Sequence, residues 1–186
     1  MARFPTCFSP SSSFNAICKS CFTLVKVVEN MATATTIKLT SPSFANGAGI
    51  DVRHTCEGDN QSPELQWTHA PEGTRTFALI VDDPDAPSGA FTHWLLFDIP
   101  ESVHGLAEGT TGVGVSGQND FQQVGYGGPC PPRKDQAHRY FFRLYALDID
   151  SLKLPQGAKR EEVEGAMKHH ILEQAVFMGR YARAAG

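Results

Sequence analysis

Phe77-Ala78-Leu79-Ile80-Val81-Asp82-Asp83-Pro84-Asp85-Ala86-Pro87 decides how this chain is read. An apolar run that ends in three carboxylates and two prolines describes a strand stopping in a stiff acidic corner, because proline fixes φ and cannot donate to a sheet ladder. A second stretch, Tyr126-Gly127-Gly128-Pro129-Cys130-Pro131-Pro132, leads into His138-Arg139-Tyr140 and another aromatic run. Two rigid loops that each deliver polar groups to a strand end are the parts from which a small ligand pocket is made.

From residue 36 onward the short runs Ile37-Lys38-Leu39, Ile50-Asp51-Val52 and Leu65-Gln66-Trp67 alternate and are separated by Gly, Pro, Asn and Ser. This rhythm predicts strands and turns. Longer strands are expected at Arg75–Asp82, Thr92–Ile99 and His138–Asp148, with a last one over Ala175–Tyr181. One helix is predicted over Ala158–Ile171, where Val163, Ala166, Met167, His170 and Ile171 share a face. No alternation of strand with helix precedes it, so an antiparallel sandwich or barrel is favoured over a parallel sheet.

At 186 residues the chain has the length of one domain. Its first 30 residues stand apart: they are Ser-rich and carry Arg3, Lys19 and Lys26 against the single acid Glu29. They read as a transit-like extension or as residues upstream of a start at Met31, leaving residues 31–186 as the domain. The full chain has 16 basic and 20 acidic side chains; removing three basic and one acidic leaves 13 and 19, a net charge of −6. That charge excludes a basic stripe for nucleic acid, and no apolar run reaches the length of a membrane span. Cys18-Lys19-Ser20-Cys21 is a weak metal or redox spacing without a second pair. Cys56 and Cys130 alone make no disulfide framework, which points to a reducing, cytoplasmic setting, or an organelle if the extension is a transit peptide.

Alternate strand residues face opposite sides of a sheet. On that rule Phe77, Leu79, Val81 and Asp83 form one row, His93, Leu95, Phe97 and Ile99 a second, and His138, Tyr140, Phe142, Leu144 and Ala146 a third. Each row is apolar and ends in a polar group. A hairpin across residues 84–91 then brings Asp83 and His93 to the same end, while Asp82 has the opposite parity and faces away.

Asp83-Pro84-Asp85-Ala86-Pro87-Ser88, Thr92-His93-Trp94, Gly127-Gly128-Pro129-Cys130-Pro131-Pro132 and His138-Arg139-Tyr140 resemble the signature regions of the phosphatidylethanolamine-binding proteins. The resemblance is closest to their bacterial Raf-kinase-inhibitor-like branch, YbhB/YbcL; Gln61-Ser62-Pro63-Glu64-Leu65-Gln66-Trp67 fits it too, and residues 36–183 are covered. It implies a Greek-key β-sandwich with peripheral helices and a small pocket for phosphate-like groups, phospholipid head groups included. The lining carries over to Asp83, His93, Pro131, Pro132, His138 and Tyr140, with Asp85, Tyr126 and Gly128 shaping it. It also implies homodimers and a protein kinase or other signalling partner, with no cofactor and no integral membrane contact.

The chemistry of those residues stands beside the resemblance. Histidine becomes a cation near neutral pH, a nearby carboxylate favours that form, and N–H groups of the Gly127-Gly128 turn could add to an anion cradle. The favoured function is a non-catalytic module for small anionic or phosphorylated ligands. Two enzyme readings compete with it: a metal-dependent site of Asp83 with two histidines, and a serine hydrolase using Ser88 or Ser116 with His93 and an aspartate, although neither serine lies in a nucleophile elbow.

Overall fold

The computed structural model describes residues 36–184, so the expectations for residues 1–30 and for Cys7, Cys18 and Cys21 lie outside the described part. A small antiparallel sheet has the order β1-β2-β5, from β1 (Lys38–Thr40), β2 (Leu65–Thr68) and β5 (Gly105–Leu106). A larger antiparallel sheet has the order β6-β4-β3-β7-β8, from β3 (Thr76–Asp83), β4 (Phe91–Pro100), β6 (Val115–Ser116), β7 (His138–Leu147) and β8 (Ile171–Tyr181). One α-helix, α1 (Arg160–Met167), accompanies them. The expected antiparallel two-sheet fold is therefore the one formed. No helix among the described residues is long and apolar enough to cross a membrane.

Every residue of β3 is buried, which explains why its apolar run is continuous. Phe77, Leu79 and Val81 enter the core between the sheets with Leu65, Trp67, Leu106, Phe142 and Phe177. Ala78 and Ile80 enter a second core with Leu95, Phe97, Leu152, Val163 and Met167, beneath α1. Asp82 follows this second side, opposite to Asp83 as parity requires, and is held there by Arg143 Nε at 2.9 Å and Arg160 Nη1 at 3.5 Å. The Asp82–Arg160 contact links α1 to the central strand.

The structure corrects three local expectations. Ile50-Asp51-Val52 is not a strand: Asp51 Oδ1 accepts the Arg53 N–H at 3.0 Å and starts a 3-10 turn over Val52–His54. An aspartate that bonds the backbone two residues on competes with the extended ladder. The helix ends at Met167, because the His170 N–H turns back to the Met167 carbonyl at 2.9 Å; Ile171 is 40% exposed and opens β8, opposite Leu147. The row His93-Leu95-Phe97-Ile99 does not exist either. Leu95 and Phe97 lie in the helix-side core, whereas Trp94, Leu96 and Ile99 lie between the sheets.

Two irregularities in β4 cause that last difference. The pairing steps from Phe77↔Ile99 to Leu79↔Leu96, then from Val81↔Trp94 to Asp82↔Thr92, so Phe97-Asp98 and His93 fall in the bulged intervals. Asp98, at φ 53°, uses the first to accept the Leu152 N–H at 2.8 Å and the Ser151 hydroxyl at 2.7 Å. The second turns His93 onto the side of Asp83, where strict alternation from Leu95 could not put it.

Replacing Asp82 with alanine strands the Arg143 guanidinium and takes one of two carboxylates from Arg160, which keeps Glu164 at 2.6 Å. The expected loss is about 2 to 3 kcal/mol, at or below the lower end for breaking a buried pair because both arginines keep about a quarter of their exposure. Urea unfolding should show a lower midpoint at unchanged slope.

Candidate functional site

Asp83 at the end of β3, His138 at the start of β7 and His93 at the β4 bulge meet at one end of the sandwich, 3, 5 and 3% exposed respectively. Asp83 is engaged through both oxygens: Oδ1 accepts the Asp85 N–H at 2.8 Å, and Oδ2 accepts His138 Nδ1–H at 2.7 Å. The His93 Nδ1–H donates to the Gly127 carbonyl at 2.7 Å. A carbonyl accepts only, so this contact fixes the tautomer and leaves Nε2 of His93 for the cavity. Burial pushes the His93 pKa down, against the opposing pull of the Gly127 carbonyl and the Asp83 carboxylate.

Above this floor is a cavity of about 300 Å³ walled by Ala86, Pro87, Ser88, Phe91, Phe121, Cys130, Pro131 and Pro132. Phe91 and Phe121 stack edge-on, 4.7 Å between centroids, and both lie within 5.3 Å of the His93 ring. Tyr140 stands behind, edge-on to His93 at 5.1 Å, with its hydroxyl buried and without a hydrogen-bond partner. Burial first, and then the Asp83 charge, push that phenol up.

Of the residues predicted from sequence, Asp83, His93, Pro131, Pro132 and His138 line the cavity. Tyr140 supports its floor, and the other three hold its frame. Asp85 is forked onto Arg139, taking the backbone N–H at 3.0 Å and the guanidinium at 2.9 and 2.6 Å. Hydrogen bonding from that guanidinium lowers the Asp85 carboxyl to about 2. The pair faces a neighbouring open basin with Lys134, Asp135 and Arg180, and clamps the 84–90 loop to β7. Tyr126 donates its hydroxyl to the His54 carbonyl at 2.7 Å and packs edge-on to Trp94.

The glycine cradle is corrected. The Gly127 N–H donates to the His93 carbonyl at 2.9 Å and the Gly128 N–H to Asn60 Oδ1 at 2.7 Å, so both are spent within the fold. Gly128 is required for close approach, since a Cβ there would run into the His54 carbonyl. Sequence reasoning missed Phe91 and Phe121 as walls. Phe91 lies two residues before His93 and was findable; Phe121 comes from a separate loop with no local signal.

The cysteine expectation is also overturned. Cys56 and Cys130 form a disulfide, with Cα atoms 5.4 Å apart across a sequence separation of 74. It ties the 3-10 turn to the Pro131-Pro132 wall, and the Cys56 N–H reinforces it by donating to the Pro129 carbonyl at 3.2 Å. The argument for a reducing compartment from unpaired domain cysteines thereby falls away. Of the two serines considered as nucleophiles, Ser88 lines the cavity, while Ser116 sits in β6 opposite Leu96, outside it. Among the described residues no group of three or more His, Cys, Asp or Glu side chains is placed to hold a metal ion.

A two-sheet sandwich with a ligand cavity where its central strands end has the build of a small binding protein. The sequence model of the phosphatidylethanolamine-binding protein family matches residues 40–182. A UPF0098 protein of Aquifex aeolicus is 51% identical over 77% of this chain and 86% of its own length, and one from Methanothermobacter thermautotrophicus is 45% identical over 79% and 99%. The crystal structure of a phosphatidylethanolamine-binding protein homologue from Chlamydia trachomatis superposes with a TM-score of 0.75 at 37% identity, covering 80% of this chain and 98% of that one. The YbcL protein of E. coli, a member of the same family, also gives a TM-score of 0.75, at 31% identity, covering 80% and 99%. The chain belongs to the phosphatidylethanolamine-binding protein family.

Two outcomes follow from this geometry. An unfolded histidine takes up its proton near pH 6.5, whereas folded His93 resists until lower pH, so the unfolded state binds more protons in that window. Stability of the ligand-free protein should therefore fall as pH drops below about 6.5, and His93→Gln should show a smaller fall in urea midpoint between about pH 7 and pH 5. Cys56→Ser, which opens the loop closed across a separation of 74, should cost about 3 to 4 kcal/mol by chemical denaturation.

Proposed function

We propose that this protein is a non-catalytic binding module whose cavity takes phosphate-like oxyanions, the polar end of a ligand resting on His93 and His138 and the rest against Phe91, Phe121, Pro87 and Pro131. The observation that carries the reading is the orientation of the two imidazoles: each is fixed through Nδ1, to the Gly127 carbonyl and to Asp83, which leaves Nε2 of His93 for a ligand and sets Nε2 of His138 3.6 Å from the exposed Asp135 carboxylate. Polar groups converging at the base of an otherwise apolar cavity supply orientation and specificity in small-ligand sites. The prolines of the wall keep it preorganised, which lowers the ordering cost of binding.

The binding reading is favoured over a hydrolase by the same contacts. A serine nucleophile needs an imidazole within hydrogen-bond reach, and among the described residues neither His93 nor His138 bonds a serine. Occupancy by a phosphorylated ligand is the event through which the module would act on a kinase-signalling partner, the role implied by its likeness to Raf-kinase-inhibitor-like proteins.

A thermal-shift titration with inorganic phosphate tests this. Ligand at ten times its dissociation constant adds about 1.4 kcal/mol, a rise of roughly 4 °C for a domain of this size. The shift should disappear in His138→Ala and be indifferent to a chelator. A phosphate response unchanged in that variant, or a gain that depends on added Zn(II), would sink the proposal.

A further inference from the structure

Gln61-Ser62-Pro63, one of the stretches that match the family, takes no part in the cavity at His93. Gln61 and Ser62 instead line a second cavity, of about 410 Å³, with the 109–113 loop, Ser116 on the edge strand β6, the Val124–Tyr126 segment and Gln156. The two cavities have no lining residue in common. The loop is pinned to the motif, since the Gly109 N–H donates to the Ser62 carbonyl at 2.9 Å, and Gly109 and Gly112, at φ 64° and 75°, make its turns.

The lining is polar without charge. No lysine, arginine, histidine, aspartate or glutamate belongs to it, whereas Gln61, Thr110, Thr111, Ser116 and Gln156 supply carboxamides and hydroxyls, groups that both donate and accept. Asn60 spends Oδ1 on the Gly128 N–H at 2.7 Å and keeps its amide N–H groups. Ser62 is 2% exposed, and its hydroxyl has no hydrogen-bond partner. A buried hydroxyl left unpaired costs free energy, and rotation about one bond lets a serine meet a new partner. Trp94, Leu96, Val113, Val124 and Tyr126 add an apolar side.

We infer that this second cavity binds a neutral sugar of one or two rings. Such a ligand carries hydroxyls that donate and accept at once, matched by amides and hydroxyls, and C–H faces that suit the apolar side. An anion would find no cation in the lining. A wholly apolar ligand would strand the amides and leave Ser62 unpaired. An added peptide strand is disfavoured because the backbone here is already engaged: the Ser116 carbonyl accepts the Gly157 N–H at 2.9 Å, and the Gly117 carbonyl accepts the Gly125 N–H at 3.2 Å. The cavity is in the size range of small-ligand sites. Trp94 belongs to its lining and packs edge-on to Tyr126 at 5.5 Å, so occupancy has an optical readout.

The full chain is titrated with glucose, mannose, N-acetylglucosamine and maltose, followed by tryptophan fluorescence and calorimetry. At least one of the four is expected to bind with a Kd of about 1 mM or tighter, and binding of none at that level overturns the inference. Gln156→Ala and Ser62→Ala are each expected to weaken that sugar by about ten-fold. Ser62→Ala, freed of an unpaired buried hydroxyl, should keep or raise the urea midpoint of the sugar-free protein. A serine with a purely structural role would do the opposite, lowering the midpoint with affinity intact. Unchanged sugar affinity in both variants overturns the site whatever the midpoint does. A sugar affinity that falls when inorganic phosphate is added would place the sugar in the cavity at His93 and overturn it too.

Discussion

A strand buried on both faces has to find a partner for each charge it carries, and β3 ends in two adjacent carboxylates. Strand alternation sends them to opposite sides. Asp82 goes under the helix and is neutralised by Arg143 and Arg160; Asp83 goes to the end of the inter-sheet core and is met by His138. The first pairing fastens α1 to the sheet. The second makes the base of the cavity, so one dipeptide serves both the packing and the site.

Around Asp83 the fold spends its hydrogen bonds on itself. Asp85 clamps its loop to Arg139, Gly128 anchors to Asn60, Tyr126 to the His54 carbonyl, and His93 to Gly127. The result is a rigid floor closed by apolar walls. Rigidity comes from these internal bonds, and the chemistry offered to a ligand is what remains after the frame has been satisfied.

The wall is held from outside as well. The Cys56–Cys130 disulfide joins the 3-10 turn to the Gly-Gly-Pro-Cys-Pro-Pro loop, and next to it Glu57 accepts the Tyr181 hydroxyl at 2.7 Å and Arg133 at 3.0 Å. Those contacts bring the 52–60 turn, the 130–133 loop and the end of β8 to one side of the cavity. Three segments distant in sequence thereby share one anchorage. The disulfide stabilises chiefly by restricting the unfolded chain, while the ion pair, partly exposed, contributes little beyond position.

The antiparallel class, the acidic corner after residue 81, the inward row of β7 from His138 to Ala146, the split between Asp82 and Asp83, and five residues of the cavity lining were legible along the chain. These are local properties: apolar periodicity, proline stiffness, and motifs whose order matches one family. Tertiary structure alone decided the face of His93, since a bulge depends on how β4 meets β3 and erases parity along the strand. It also decided the disulfide, the Phe121 wall and the fate of the Gly127 and Gly128 donors, each set by a partner contributed from another part of the chain. Pattern along a chain reports which way a side chain points only while the ladder is regular, and it does not report which distant atom will satisfy it.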